Sequence, residues 1–109
     1  MNLKVDIKEG NRETVVFLKG EVDVYTAPTL KESLYPLAEQ KEKKIVVDLS
    51  NINYIDSTGL GIFIGALKAT DKSNSTITIC GANARVKRLF EITGLDEIIE
   101  IVSDQREEV

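Results

Sequence analysis

The sequence predicts one α/β domain built on a mixed sheet whose central strands run parallel. Strand-like and helix-like segments alternate along the 109 residues, and no repeat or linker interrupts them. The segment IVVDL, residues 45–49, is a short apolar run typical of a strand covered on both faces. A helix between two such strands implies a parallel, right-handed crossover. We therefore expect four to five strands with helices packed on them, in one domain spanning residues 1–109.

The N-terminal segment is predicted to form a hairpin. Leu3, Val5 and Ile7 alternate with polar residues, as expected for a half-buried strand, and the segment TVVFLKG, residues 14–20, predicts a second strand. Gly10 and Asn11 lie between them and favour a tight turn.

The first helix is predicted over TAPTLKESLYPLAEQ, residues 26–40. Thr26 stands where a helix cap is expected, and Pro28 fits a first turn. Apolar residues recur at helical spacing: they are Ala27, Leu30, Leu34, Leu37 and Ala38. The central strand is expected to end near Ser50.

The C-terminal half continues the alternation. A second helix is predicted from Thr58 to about Lys72, followed by the strand TITIC at residues 76–80. A third helix begins near residue 84 and ends at Gly94, because glycine is the usual residue after a helix. Residues 98–102 predict a last strand, and residues 103–109 a frayed end.

Composition argues against several classes of function. The formal net charge of −4 disfavours nucleic acid, which requires clustered basic residues. The chain has no histidine and a single cysteine, Cys80, so serine–histidine triads, thiol pairs and most zinc sites are excluded. We expect neither catalysis nor a metal nor a cofactor. Without an apparent membrane span or signal peptide, the sequence predicts a cytoplasmic protein, with monomer as the default state.

The stretch DSTGLG, residues 56–61, lies between the central strand and the second helix. Asp56 or Ser57 is suited to cap the helix, which is what such residues usually do. The same position would tolerate a phosphate on Ser57, because a helix N-terminus stabilises negative charge. Position alone favours the cap. A nucleotide loop is poorly supported, because GLG without a following Lys and Ser or Thr matches no phosphate-binding motif.

The second helix has two apolar sides. Placing residues at 100° steps predicts a sheet-facing stripe: Leu60, Phe63, Ile64 and Leu67. The opposite side carries small and apolar residues: Gly61, Ile62, Gly65, Ala66 and Ala69. Either a partner protein binds this side, or another segment of the chain covers it, for example the last helix.

Four motifs in order resemble the bacterial anti-sigma factor antagonists, single-domain members of the sulfate transporter and anti-sigma antagonist (STAS) family. They are GEVDVYTAP at residues 20–28, IVVDLS at 45–50, DSTGLGIFIGALK at 56–68 and RLFEITGL at 88–95. The resemblance covers nearly the whole chain. The VYTAP segment and Thr58 are more similar to the general-stress type than to the sporulation type.

The resemblance implies a switch by partner exchange. The unphosphorylated protein would bind an anti-sigma serine kinase and so release a sigma factor. Phosphorylation of Ser57 by that kinase would end binding, and a metal-dependent serine phosphatase would restore it. The resemblance also implies that Asp56, Thr58, Gly59 and Gly61 frame Ser57 and that Asp23 supplies a nearby acidic group.

Two alternatives to this switch remain. One is a related scaffold subunit of a stress-signalling assembly. The other is a small enzyme or nucleotide-binding protein that uses Asp23 and Asp56.

Overall fold

The computed structural model describes residues 2–103 and contains one five-stranded sheet in the order β1-β2-β3-β4-β5. The strands are β1 (Leu3–Glu9), β2 (Thr14–Val22), β3 (Lys44–Ile55), β4 (Thr76–Cys80) and β5 (Glu100–Val102). The helices are α1 (Ala27–Ala38), α2 (Ser57–Ser73) and α3 (Ala84–Thr93), and a 3₁₀ turn spans Leu95–Glu97. Only β1 pairs antiparallel, with β2, and the other pairs are parallel. The predicted mixed α/β sheet is confirmed.

All three helices cover the same face of the sheet. The main core joins apolar side chains of α1, α2 and α3 to those of β2, β3 and β4, and it includes the edge-to-face ring pair Phe63 and Phe90, 6.0 Å apart. A second, smaller cluster on the other face contains strand residues only: Val15, Phe17, Val46 and Cys80, with Val102 against them. No helix within residues 2–103 is both long enough and apolar enough to span a membrane.

β3 is longer than the sequence predicts. We expected it to end near Ser50, but it runs to Ile55, because β2 continues to pair with it up to Val22. Beyond the end of β4, the Asn83 side chain donates a hydrogen bond to the Ile52 carbonyl (3.1 Å), while its oxygen accepts from the Val86 amide (2.9 Å) at the start of α3. The extension of β3 therefore holds α3 near the end of that strand.

Several boundaries differ from the sequence expectation. α2 begins at Ser57 rather than Thr58, and β5 begins at Glu100 because the 3₁₀ turn precedes it. Thr26 occupies the cap position of α1 but makes no capping bond with its side chain. Its hydroxyl donates instead to the Glu21 carbonyl (2.8 Å). Apart from Ser103, the predicted frayed end lies outside the described residues.

Candidate functional site

The candidate site is the rim where β2 and β3 end side by side. Val22 and Ile55 are register partners in the parallel pair, so the segments that follow them emerge together. The Asp56 amide donates to the Val22 carbonyl (3.1 Å), which ties the two exits to each other. The loop at Asp23 and the start of α2 at Ser57 are thereby brought to one edge, where groups in α/β sheets commonly meet ligands.

Asp56, and not Ser57, caps α2. One carboxylate oxygen of Asp56 accepts from the Thr58 amide (2.9 Å) and the Gly59 amide (3.1 Å). Ser57 is the first helical residue and is exposed, and its hydroxyl has no hydrogen-bond partner among residues 2–103. The two interpretations of DSTGLG therefore concern different side chains, which leaves the Ser57 hydroxyl available.

Asp23 is buried within its own loop. Only 4% of the residue is exposed, and its Oδ1 accepts from the amides of Tyr25 (2.9 Å) and Thr26 (3.0 Å). Its Oδ2 is also inaccessible and has no hydrogen-bond partner in the described part of the chain. Asp23 thus shapes the loop beside α2 rather than presenting its carboxylate to solvent.

The glycines after Ser57 differ in surroundings. A Cβ at Gly59 would lie 2.6 Å from Val22 Cγ1 and 2.9 Å from Ile55 Cγ2, so this glycine lets α2 start tightly against the two strand ends. A Cβ at Gly61 would meet no atom of residues 2–103 within 4 Å. Packing among residues 2–103 therefore does not require glycine at position 61, although glycine destabilises a helix interior by roughly 0.5–1 kcal/mol relative to alanine.

The two predicted sides of α2 are only partly correct. Ile64, expected to face the sheet, is 36% exposed, whereas Ala66, expected on the partner side, is completely buried. Ala66 therefore cannot contact a partner. Ile62 and Ala69 are half-buried against the core.

The segment that covers this side of α2 is α1, and not the last helix. Tyr35 of α1 lies across Gly65, where a Cβ would overlap its hydroxyl.

An exposed stripe of α2 follows from these contacts. Ser57, Gly61, Ile64 and Lys68 are all exposed and are spaced by four, three and four residues, which places them on one side of the helix. The stripe starts at the rim and runs down the helix.

The rim also carries exposed apolar side chains that our sequence analysis did not assign to a site. Val24 is 59% exposed and Tyr25 81%, both directly after Asp23. Tyr54 near the end of β3 and Ile92 on α3 border a groove of about 280 Å³, which is lined by apolar side chains together with Arg85 and Arg88. Side chains of this kind grouped at one edge are typical of a protein-binding surface. In the sequence, the aromatic residue Tyr25 within VYT (residues 24–26) is the signal that could have indicated this surface.

The rim lacks the groups of a metal site. Within residues 2–103, no group of three or more Asp, Glu, Cys or His side chains is placed to hold a metal ion.

The family model for the STAS domain matches residues 2–108. The chain belongs to the STAS domain family. Similar relatives are the anti-sigma-B factor antagonists of Bacillus subtilis, 44% identical over 101 residues (93% of this chain and 92% of the relative), and of Listeria monocytogenes, 43% identical over 102 residues (93% and 90%). That of Staphylococcus aureus is 42% identical over 101 residues (93% and 94%).

Solved structures share the STAS fold at lower identity. An anti-sigma factor antagonist from Mycobacterium paratuberculosis superimposes with a TM-score of 0.85 at 22% identity, covering 94% of this chain and 87% of that one. The Bacillus cell fate determinant SpoIIAA in its phosphorylated form gives 0.68 at 15% identity, covering 93% of each chain. At these identities the likeness concerns the fold.

The division of roles at the start of α2 predicts unequal effects of two alanine substitutions. Asp56→Ala should lower the free energy of unfolding by about 1 kcal/mol, because two helix amides lose their acceptor. Ser57→Ala should change it by less than about 0.5 kcal/mol, since the hydroxyl holds nothing in place. Urea unfolding measures both, and an equal loss in the two variants would contradict the assignment of the cap.

Proposed function

We propose that this STAS protein is an anti-sigma factor antagonist that switches partners through phosphorylation of Ser57. The observation that carries the proposal is the exposed Ser57 hydroxyl. Asp56 caps the helix in its place, and exposed apolar side chains lie on the same rim. The partner of the unphosphorylated form is an anti-sigma serine kinase, whose capture frees a sigma factor. A metal-dependent serine phosphatase reverses the modification.

The relatives support this proposal. Relatives at 43–44% identity carry the name anti-sigma-B factor antagonist, and they match over more than nine-tenths of this chain. SpoIIAA, which shares the fold, exists in both unphosphorylated and phosphorylated forms. The protein itself acts as a substrate and binding partner rather than as an enzyme, since the kinase supplies ATP, Mg²⁺ and the catalytic base.

The position of Ser57 explains how a phosphate can end binding without unfolding the protein. At the first residue of α2, a phosphate of about −1.5 to −2 charge lies at the positive end of the helix dipole. The fold therefore tolerates it. A partner seated on the rim would have to desolvate that charge against apolar side chains such as Tyr25, which opposes binding.

The structure changes which residues we propose as the interface. The exposed stripe of α2, with Gly61 and Ile64, replaces the buried Ala66, and the apolar side chains Val24 and Tyr25 extend the surface across the rim. Gly59 and Asp56 support Ser57 from within. Asp23 acts indirectly, by shaping the loop that presents Tyr25.

Modification of Ser57 is the first test. Incubation with the cognate anti-sigma kinase and Mg·ATP should add one phosphate, which peptide mass spectrometry should place on Ser57. Ser57→Ala should abolish labelling, while Thr58→Ala retains it.

Ser57→Asp should weaken kinase binding at least tenfold by calorimetry, with a nearly unchanged melting temperature. Labelling on Thr58, or unchanged affinity of Ser57→Asp, would exclude this switch.

Tyr25 should be an anchor for the kinase. Tyr25→Ala should lower the affinity about tenfold or more, because large aromatic side chains dominate protein interfaces. Its free energy of unfolding should stay within about 0.5 kcal/mol of wild type, since the side chain is 81% exposed. Ile98→Ala is the matched control, because Ile98 is also exposed (58%) but lies beyond the N-terminal end of β5. Equal losses in the two variants would exclude a specific contact at Tyr25.

Gly61 should show opposite effects on stability and binding. Gly61→Ala should raise the free energy of unfolding by roughly 0.5–1 kcal/mol, because the helix gains a better former and the methyl group meets no neighbour. The same methyl group should weaken kinase binding, since it stands in the interface. Gly59→Ala should instead lower stability by about 1–3 kcal/mol, because it overpacks the strand ends. If Gly61→Ala is more stable and binds the kinase with wild-type affinity, Gly61 does not belong to the interface.

A further inference from the structure

A groove between α1 and α2 lies further along α2 than Ser57. We call it the lysine groove. Its floor is made by Tyr35 of α1 and by Gly65 and Ala69 of α2, and its volume is about 380 Å³. The floor owes its shape to Gly65, because a side chain there would overlap the Tyr35 hydroxyl. The Tyr35 phenol is uncharged at neutral pH, and burial raises its pKa further above the ordinary value.

The edges of the groove are basic although the chain is acidic overall. Lys41, Lys68 and Lys72 line it, and Glu39 is the one acidic residue among its lining side chains. The ion pairs found within residues 2–103 join Lys8 to Asp6 and Lys44 to Glu13, so none of the three groove lysines is neutralised by an ion pair there. In a protein of net charge −4, this is a local positive surface.

The three groove lysines are spread along the groove rather than clustered around one point. Lys68 and Lys72 stand one helical turn apart on α2, whereas Lys41 lies in the turn after α1. A single small anion is best held by donors that point at one place. Charges spread along an open, uncharged floor fit an extended segment that carries several carboxylates.

The lysine groove is continuous with the surface around Ser57. The exposed stripe of α2 leads from Ser57 through Gly61 and Ile64 to Lys68, which also lines the groove. Ser57 and Lys68 are separated by eleven steps of helical rise, which is roughly 16 Å. A standard interface of about 800 Å² per partner is wide enough to cover both ends of that distance.

We propose that the lysine groove binds an acidic segment of the same partner kinase that docks over Ser57. This inference rests on the proposed function and adds a second contact with its own chemistry. The groove supplies electrostatic attraction away from the phosphorylation site, so it contributes to the rate of association and to the choice of partner.

Charge reversal at the groove tests the proposal. The variant Lys41→Glu/Lys68→Glu should lower the affinity of the full chain for the kinase at least tenfold at about 0.1 M salt. Lys72 is left unchanged because it lies in the last turn of α2, where a positive charge favours the helix. The control is Lys4→Glu/Lys19→Glu, which makes the same charge change at an exposed cross-strand pair on β1 and β2. It should lose less than about threefold. The difference between the two should shrink at high salt.

The outcomes separate the groove from the switch. Equal losses in the two double variants would overturn the groove while leaving the switch intact, provided the kinase still binds and phosphorylates the wild-type chain. A wild-type chain that does not bind the kinase would overturn both. Labelled ATP that binds the wild-type chain and not the groove variant, with unchanged kinase affinity, would assign the groove to a small polyanion and also overturn the proposal.

Folding of the groove variant is checked by its thermal melt. If the double glutamate variant melts early, Lys41→Gln/Lys68→Gln provides the same measurement with a smaller perturbation. It should then show an intermediate loss of affinity, and full affinity in the folded glutamine variant would exclude the contact.

Discussion

The alignment of the two strand ends at Val22 and Ile55 is the constraint on which the site depends. A parallel pair in register delivers two chain exits to one edge, and the hydrogen bond from the Asp56 amide to the Val22 carbonyl fixes their separation. Gly59 completes this arrangement, because any Cβ there would push the first turn of α2 away from both strands. The loop at Tyr25 and the hydroxyl of Ser57 share one surface for this reason.

In the proposed switch, capping and phosphorylation fall to neighbouring side chains, Asp56 and Ser57. If Ser57 capped α2, its modification would remove a hydrogen-bond acceptor from the helix and couple phosphorylation to stability. Because Asp56 accepts from the helix amides, a phosphate on Ser57 would add charge to the rim without removing the cap. A local change of this kind can control a partner without refolding the protein.

Sequence patterns were sufficient for the fold, but not for the surroundings of the side chains at the candidate site. The order of strands and helices follows from hydrophobic periodicity and turn residues, and the Gly94 stop of α3 is where it was predicted. The length of β3 was missed because residues 50–55 are mostly polar or exposed and are held as a strand by pairing with β2. Pairing of that kind depends on contacts between distant segments.

The packing of α2 shows that a small residue can be buried at a position where a larger apolar residue was expected. Placing residues at 100° steps put Ile64 on the sheet-facing side and Ala66 on the opposite side, yet the helix buries Ala66 and exposes Ile64. α1 packs on α2 with the Tyr35 side chain across Gly65, and any side chain at residue 65 would overlap it. Small residues on a helix therefore indicate that another group packs closely on it, but they do not identify that group. On the covered side the neighbour is α1 itself, whereas a Cβ at Gly61 would meet no atom of residues 2–103 within 4 Å, which is consistent with the interface proposed on the exposed stripe.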